Sequence, residues 1–64
     1  MIQYGIWDED KGCWVDETVG LGYNECLQIG YDVIGKGKLP VITQYEMLKF
    51  MVENRFDLRP LSND

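Results

Sequence analysis

Apolar and polar residues alternate at both ends of this chain, and between them they gather into a helical pattern. The segments "IQYGIW" and "CWVDET" are rich in β-branched and aromatic residues and flank a run of turn formers. That pattern predicts a β-hairpin. Gly12 can adopt the left-handed conformation that closes a short loop. A four-residue loop, Glu9 to Gly12, sets Trp7 opposite Trp14 and Ile6 opposite Val15. A three-residue bulged loop sets Trp7 opposite Val15 and Ile6 opposite Asp16. The first is preferred, because it pairs apolar with apolar, and a slip of one residue exchanges the two faces. In this register Ile2, Tyr4, Ile6, Val15 and Val19 share the expected core face. Gln3, Trp7, Trp14, Asp16 and Thr18 share the other, so both tryptophans are expected on the side away from the main core.

"VGLGYNE" is a glycine-bearing connection. In "CLQIGYDVIG" Leu27, Ile29, Tyr31 and Val33 alternate with Gln28, Gly30 and Asp32, which is a strand pattern. A helix capped by Asn24 with Glu25 in its first turn competes with it. Gly30 would cost such a helix about 1 kcal/mol against alanine, so a strand is expected. "GKGKLP" reads as a loop. "TQYE", residues 43–46, is a capping box, with Ile42 and Met47 as its hydrophobic staple. The helix it starts is expected from about Gln44 to Asn54. Glu46, Lys49 and Glu53 form its one narrow polar stripe, so it is expected to be covered on several sides as the core of the domain. "RFDLRPL" alternates Phe56, Leu58 and Pro60 against Arg55, Asp57 and Arg59. It predicts a final strand, with Pro60 marking a sheet edge or the strand's end. The expected fold is α+β: one domain over residues 1–64, a small antiparallel sheet made of the hairpin and one or two further strands, packed on the helix near 44–54.

Charge and composition narrow the function. The chain has 64 residues and a net charge of −5. Up to Gly35 seven acids stand against Lys11, a balance of −6; from Lys36 on five bases stand against four acids, a balance of +1. An acidic surface disfavours direct nucleic-acid binding and favours a basic partner. No apolar run approaches the ~18 residues of a membrane span. The first residues carry neither a basic stretch nor an apolar one, so a cytoplasmic location is expected. Cys13 and Cys26, with twelve residues between them, are expected as small buried thiols. The chain has no histidine, and Ser62 is its only serine. A Ser–His or Cys–His nucleophile pair therefore cannot form within it, and a zinc site would need an improbable ligand set. No cofactor, metal or catalytic activity is expected.

Three fragments suggest chemistry and fall short of it. "DEDKG" has the start of a calcium loop, but the positions that require glycine and a bidentate glutamate hold Cys13 and Val19. "GKGK" lacks the spacing of a phosphate loop and is followed by Pro40. The hairpin carboxylates lack the burial that tunes an acid–base pair. The Trp7/Trp14 pair has two readings. It completes a thin core, or it forms an apolar patch rimmed by acids, with tryptophan as the interface anchor. The second nominates Trp7, Asp8, Glu9, Asp10, Trp14, Asp16 and Glu17 as a partner-binding surface. Tyr23, Arg55 and Arg59 are further candidates. A short, acidic, histidine-free α+β chain with no catalytic set resembles in style the small accessory proteins of phages and mobile elements, which bind one host protein. The expected function is thus an inhibitor or modulator that binds a larger protein with a basic surface. The alternatives are an oligomerising subunit that uses the tryptophan face to form a homodimer, and a nucleic-acid mimic that occupies a basic groove.

Overall fold

The alternating segments at the two ends of the chain meet in one antiparallel sheet. The structure is a computed structural model and describes residues 2–35 and 43–61. Its elements are β1 (Tyr4–Asp8), β2 (Cys13–Trp14), α1 (Tyr23–Gly30), α2 (Gln44–Glu53) and β3 (Phe56–Pro60). The strand order is β2-β1-β3, with β1 in the centre. This is the expected α+β arrangement, with two α-helices among the described residues where the sequence predicts one main helix.

The hairpin takes the four-residue loop, with Trp7 opposite Trp14 and Asp8 opposite Cys13. Gly12 adopts φ 68°, and its N–H donates to the Asp8 carbonyl at 2.8 Å. The Asp8 carboxylate folds into the loop, where Oδ1 accepts from the N–H groups of Asp10 (3.0 Å) and Lys11 (3.1 Å). Such an aspartate turn fixes the loop from inside.

Beyond Trp14 the second strand departs from expectation. Val15 still donates its N–H to the Ile6 carbonyl at 2.8 Å, but Asp16–Thr18 form a 3₁₀ turn. The turn reverses the expected sides. Thr18 is 0% exposed, whereas Val19 is exposed. The Thr18 hydroxyl accepts from the Ile6 N–H at 2.9 Å and donates to the Val15 carbonyl at 2.6 Å. It is thus inserted into the ladder where the strands part. The chain returns at Leu21, which bridges to Tyr4.

The strand expected in "CLQIGYDVIG" is a helix. Glu25 Oε1 accepts from the Gly22 N–H at 3.2 Å and closes the N-terminal turn of α1, where Asn24 was the expected cap of a helix. Cys26, Leu27 and Gly30 form its buried side, and a wide π-type turn, Tyr31–Gly35, continues it. Gly30, which weighs against a helix on propensity, is the residue that lets this helix approach the sheet. A Cβ there would lie 2.6 Å from Ile6 Cδ1.

Before α2 the capping box forms as read. Glu46 N–H donates to Thr43 Oγ1, and Thr43 N–H donates to Glu46 Oε1, both at 3.2 Å. The staple residue Ile42 and the "GKGKLP" loop lie outside the described residues. α2 is less enclosed than expected. Met47 and Met51 are buried, whereas Tyr45 is 74% and Val52 76% exposed. Among the described residues, one small sheet and one other helix cover one side of α2, as expected of a chain with so thin a core. After α2, Arg55 takes a left-handed φ of 62° and turns the chain back into β3. β3 runs antiparallel to β1 with Ile6 opposite Leu58 and Trp7 opposite Asp57. The core is Ile6, Leu27, Met47 and Met51, with Val15, Ile34, Phe56 and Leu58 packed around it.

Candidate functional site: the tryptophan face of the sheet

Strand alternation sends Ile6 toward the helices and its neighbours Gly5 and Trp7 the other way. Register adds Asp57 and Arg59 of β3 and Trp14 of β2 to that second face. Trp7 and Trp14 meet edge to face, with ring centroids 5.2 Å apart and an interplanar angle of 83°. Gly5 provides room for this arrangement. A Cβ there would lie 3.0 Å from Trp14 Cε3 and 3.5 Å from Leu61 Cδ2, so Trp14 rests against bare strand backbone. The Arg59 guanidinium carbon sits 5.1 Å from the Trp7 ring centroid, a cation–π geometry. Arg59 Nε also donates to Asp57 Oδ2 at 2.7 Å. Both tryptophans are half-buried.

The hairpin acids occupy three kinds of environment. Asp8 is buried and engaged inside the loop. Asp10 pairs with Arg55 Nε at 2.7 Å, with both side chains well exposed, so the pair contributes at most about 1 kcal/mol. Glu9, Asp16 and Glu17 are exposed and make no ion pair among the described residues. Tyr23 lies edge-on to Tyr4 at 5.4 Å. The sequence singled out Arg55 and Arg59 without a location, and the fold returns both to the hairpin. Asp57, Gly5 and Leu61 were not singled out. The alternation of Asp57 with Arg59 was visible, but their position beside Trp7 depends on β3 pairing with β1.

Of the two thiols expected to be buried, Cys26 is and Cys13 is not. Cys13 is exposed and Cys26 buried, and both are free. Cys26 Sγ donates to the Thr18 carbonyl at 3.2 Å. Burial pushes its thiol above the ordinary range, with the nearby Glu25 charge acting in the same direction. The neutral thiol is therefore favoured in the native state. Its contribution is present at neutral pH and is lost as pH rises through the thiol range, where the unfolded chain ionises first. Titration with a disulfide reagent at neutral pH should modify Cys13 in the native protein and Cys26 only after denaturant is added. Rapid modification of both would mean that α1 opens readily.

A groove of about 350 Å³ also opens between α1 and the start of α2, beside Leu27, Tyr31 and Met47. Its lining includes Asn24, Gln28 and Thr43 and, among the described residues, has no carboxylate, amine or thiol. No helix among the described residues is long and apolar enough to cross a membrane. No protein-family model matches this chain, and the searches for similar curated proteins and similar solved structures each found no match.

Proposed function

We propose that this protein is a binding module that acts in the cytoplasm as an inhibitor or modulator of a larger protein, in the style of phage and mobile-element accessory proteins. The observation that supports this reading is the Trp7–Trp14–Arg59 face, on the side of the sheet away from the packed helices. Tryptophan and arginine are the residue types that most often anchor interfaces. Here the edge contact and the cation hold the rings in one arrangement before binding, which lowers the entropy cost of association. Glu9, Asp16 and Glu17, which make no ion pair among the described residues, add negative charge to the hairpin. They favour a partner with a basic surface and speed its approach in a salt-dependent way. A nucleic-acid mimic is less well supported, because Arg55 neutralises Asp10 and Arg59 places a cation within the face.

A pull-down from native lysate tests the reading, with wild type beside a Trp14→Ala, Asp16→Lys variant checked for folding by circular dichroism. One stoichiometric partner, kept by wild type and lost by the folded variant, is the expected result. Loss of a tryptophan anchor should weaken binding by about 2 kcal/mol or more. Equal capture by both forms would put the binding surface elsewhere.

A further inference from the structure

Among the described residues β3 pairs with β1 alone and is an edge of the sheet. Leu61 donates its N–H to the Gln3 carbonyl, and Glu9 donates to the Arg55 carbonyl. These two bonds fix the parity of the ladder. Asp57 and Arg59 direct their backbone groups toward β1, while Phe56, Leu58 and Pro60 direct theirs outward. The edge therefore offers the N–H groups of Phe56 and Leu58 and the carbonyls of all three. An edge with free backbone groups is a template for pairing.

We propose that two copies of this chain pair antiparallel through their β3 edges, in the register centred on Leu58, to form one continuous six-stranded sheet. Charge selects the occupant and the register. Centring on Asp57 sets Asp57 against Asp57 of the partner subunit. Centring on Arg59 opposes two arginines and brings Pro60, which has no N–H, opposite Leu58 of the partner subunit. Centring on Leu58 sets Asp57 against Arg59 of the partner subunit, and the two-fold axis repeats that pair. Like charges directly opposite are destabilising and opposite charges stabilising. In the same register Leu58 exchanges two hydrogen bonds with Leu58 of the partner subunit. The Phe56 N–H reaches the carbonyl of Pro60 of the partner subunit, again twice. Pro60 then ends the ladder at the point where its missing donor matters least. The Asp57–Arg59 pairs fall at the non-hydrogen-bonded positions, where side chains stand closest. Arg59 engages its own Asp57 through Nε, and its guanidinium carries further donors for a second carboxylate.

The two-fold axis stands perpendicular to the sheet, so both tryptophan faces lie on the same side of the dimer. A contact along five residues per copy falls below the roughly 1,200 Å² at the lower end of stable interfaces, so the dimer is weak and forms at high micromolar concentration.

Sedimentation equilibrium from about 10 μM to about 1 mM tests it, combined with isotope-filtered NMR on mixed labelled and unlabelled protein. The expected result is a monomer–dimer equilibrium with an intermolecular contact between the Hα atoms of Asp57 and Arg59. Asp57→Arg should weaken it by about tenfold or more, because both pairs become repulsive, and Asp57→Arg with Arg59→Asp should restore it. A monomer throughout the range, or a dimer that lacks the Hα contact, overturns the proposal. So does a dimer lost in a folded Trp14→Ala variant, which would assign self-association to the tryptophan face. If Asp57→Arg fails to fold, synthetic protein with N-methylated Leu58 removes only an outward N–H. It should be monomeric, and a persisting dimer overturns the proposal.

Discussion

Gly30→Ala is expected to destabilise the protein by about 1–3 kcal/mol through overpacking, although alanine is the better helix former by about 1 kcal/mol. The new Cβ would come within 2.6 Å of Ile6 Cδ1, closer than carbon atoms pack, and within 3.5 Å of Met47 Cε. Ile6 cannot swing aside, because it is 0% exposed and at the centre of the core. Either the side chain leaves its rotamer or α1 lifts off the sheet. The complementary change is Ile6→Val, which deletes the Cδ1 that would be struck. Alone it should cost about 0.5–1.5 kcal/mol. Combined with Gly30→Ala it should cost clearly less than the sum of the two single changes. Urea unfolding followed by circular dichroism on the four proteins measures that coupling. Additive losses would mean that the obstacle to a methyl group at position 30 is not Ile6.

The same glycine explains why "CLQIGYDVIG" reads as a strand in the sequence. Its apolar residues alternate over a short window, and glycine lowers helix propensity, so local signals agree on the wrong element. What decides the matter is tertiary. Ile6 of β1 needs a cover, and a glycine on the facing helix turn allows one at close range. Spacing along one segment carries no information about the depth of a side chain on another. By contrast, the hairpin register, the Thr43–Glu46 cap and the final strand rest on residues close in sequence, and these were legible. So was the pairing of Trp7 with Trp14, because loop length fixes register.

The candidate site divides along the same line. Its tryptophans and acids were visible because the hairpin is local. The cation that Arg59 brings to Trp7 was not, because 52 positions separate them and only the β1–β3 ladder joins them. The expected acid rim therefore has a different character. Asp10 is met by Arg55 and Asp57 by Arg59, and among the described residues the hairpin acids left exposed without an ion pair are Glu9, Asp16 and Glu17. A partner's basic groups would be drawn to those three positions rather than to the whole loop.

Thr18→Val is expected to cost about 1–3 kcal/mol, the penalty for leaving a buried donor unsatisfied. Valine has nearly the same shape, so the loss comes from the hydroxyl alone. That hydroxyl takes the Ile6 N–H and passes its own proton to the Val15 carbonyl. Val15 keeps a second donor, the Thr18 N–H at 2.9 Å, whereas no other acceptor for the Ile6 N–H is seen among the described residues. Thr18→Ser keeps the hydroxyl and removes one methyl group, at about 0.8 kcal/mol of transfer energy plus a small cavity term. The order wild type, serine, valine is therefore expected in denaturant midpoints, with faster hydrogen exchange at the Ile6 amide in the valine variant. The opposite order would mean that Thr18 serves the core through its methyl group. The consequence extends to the tryptophan face. β2 is two residues long, and beyond Val15 its hold on β1 passes to Thr18 until Gly20 and Leu21 bond to Tyr4. If that hold fails, the turn between Val15 and Gly20 is free to move off β1, and only the Val15 N–H bond to the Ile6 carbonyl holds the chain just after Trp14. The edge contact between the two indoles should then loosen, and their near-ultraviolet circular dichroism should weaken in Thr18→Val and be retained in Thr18→Ser.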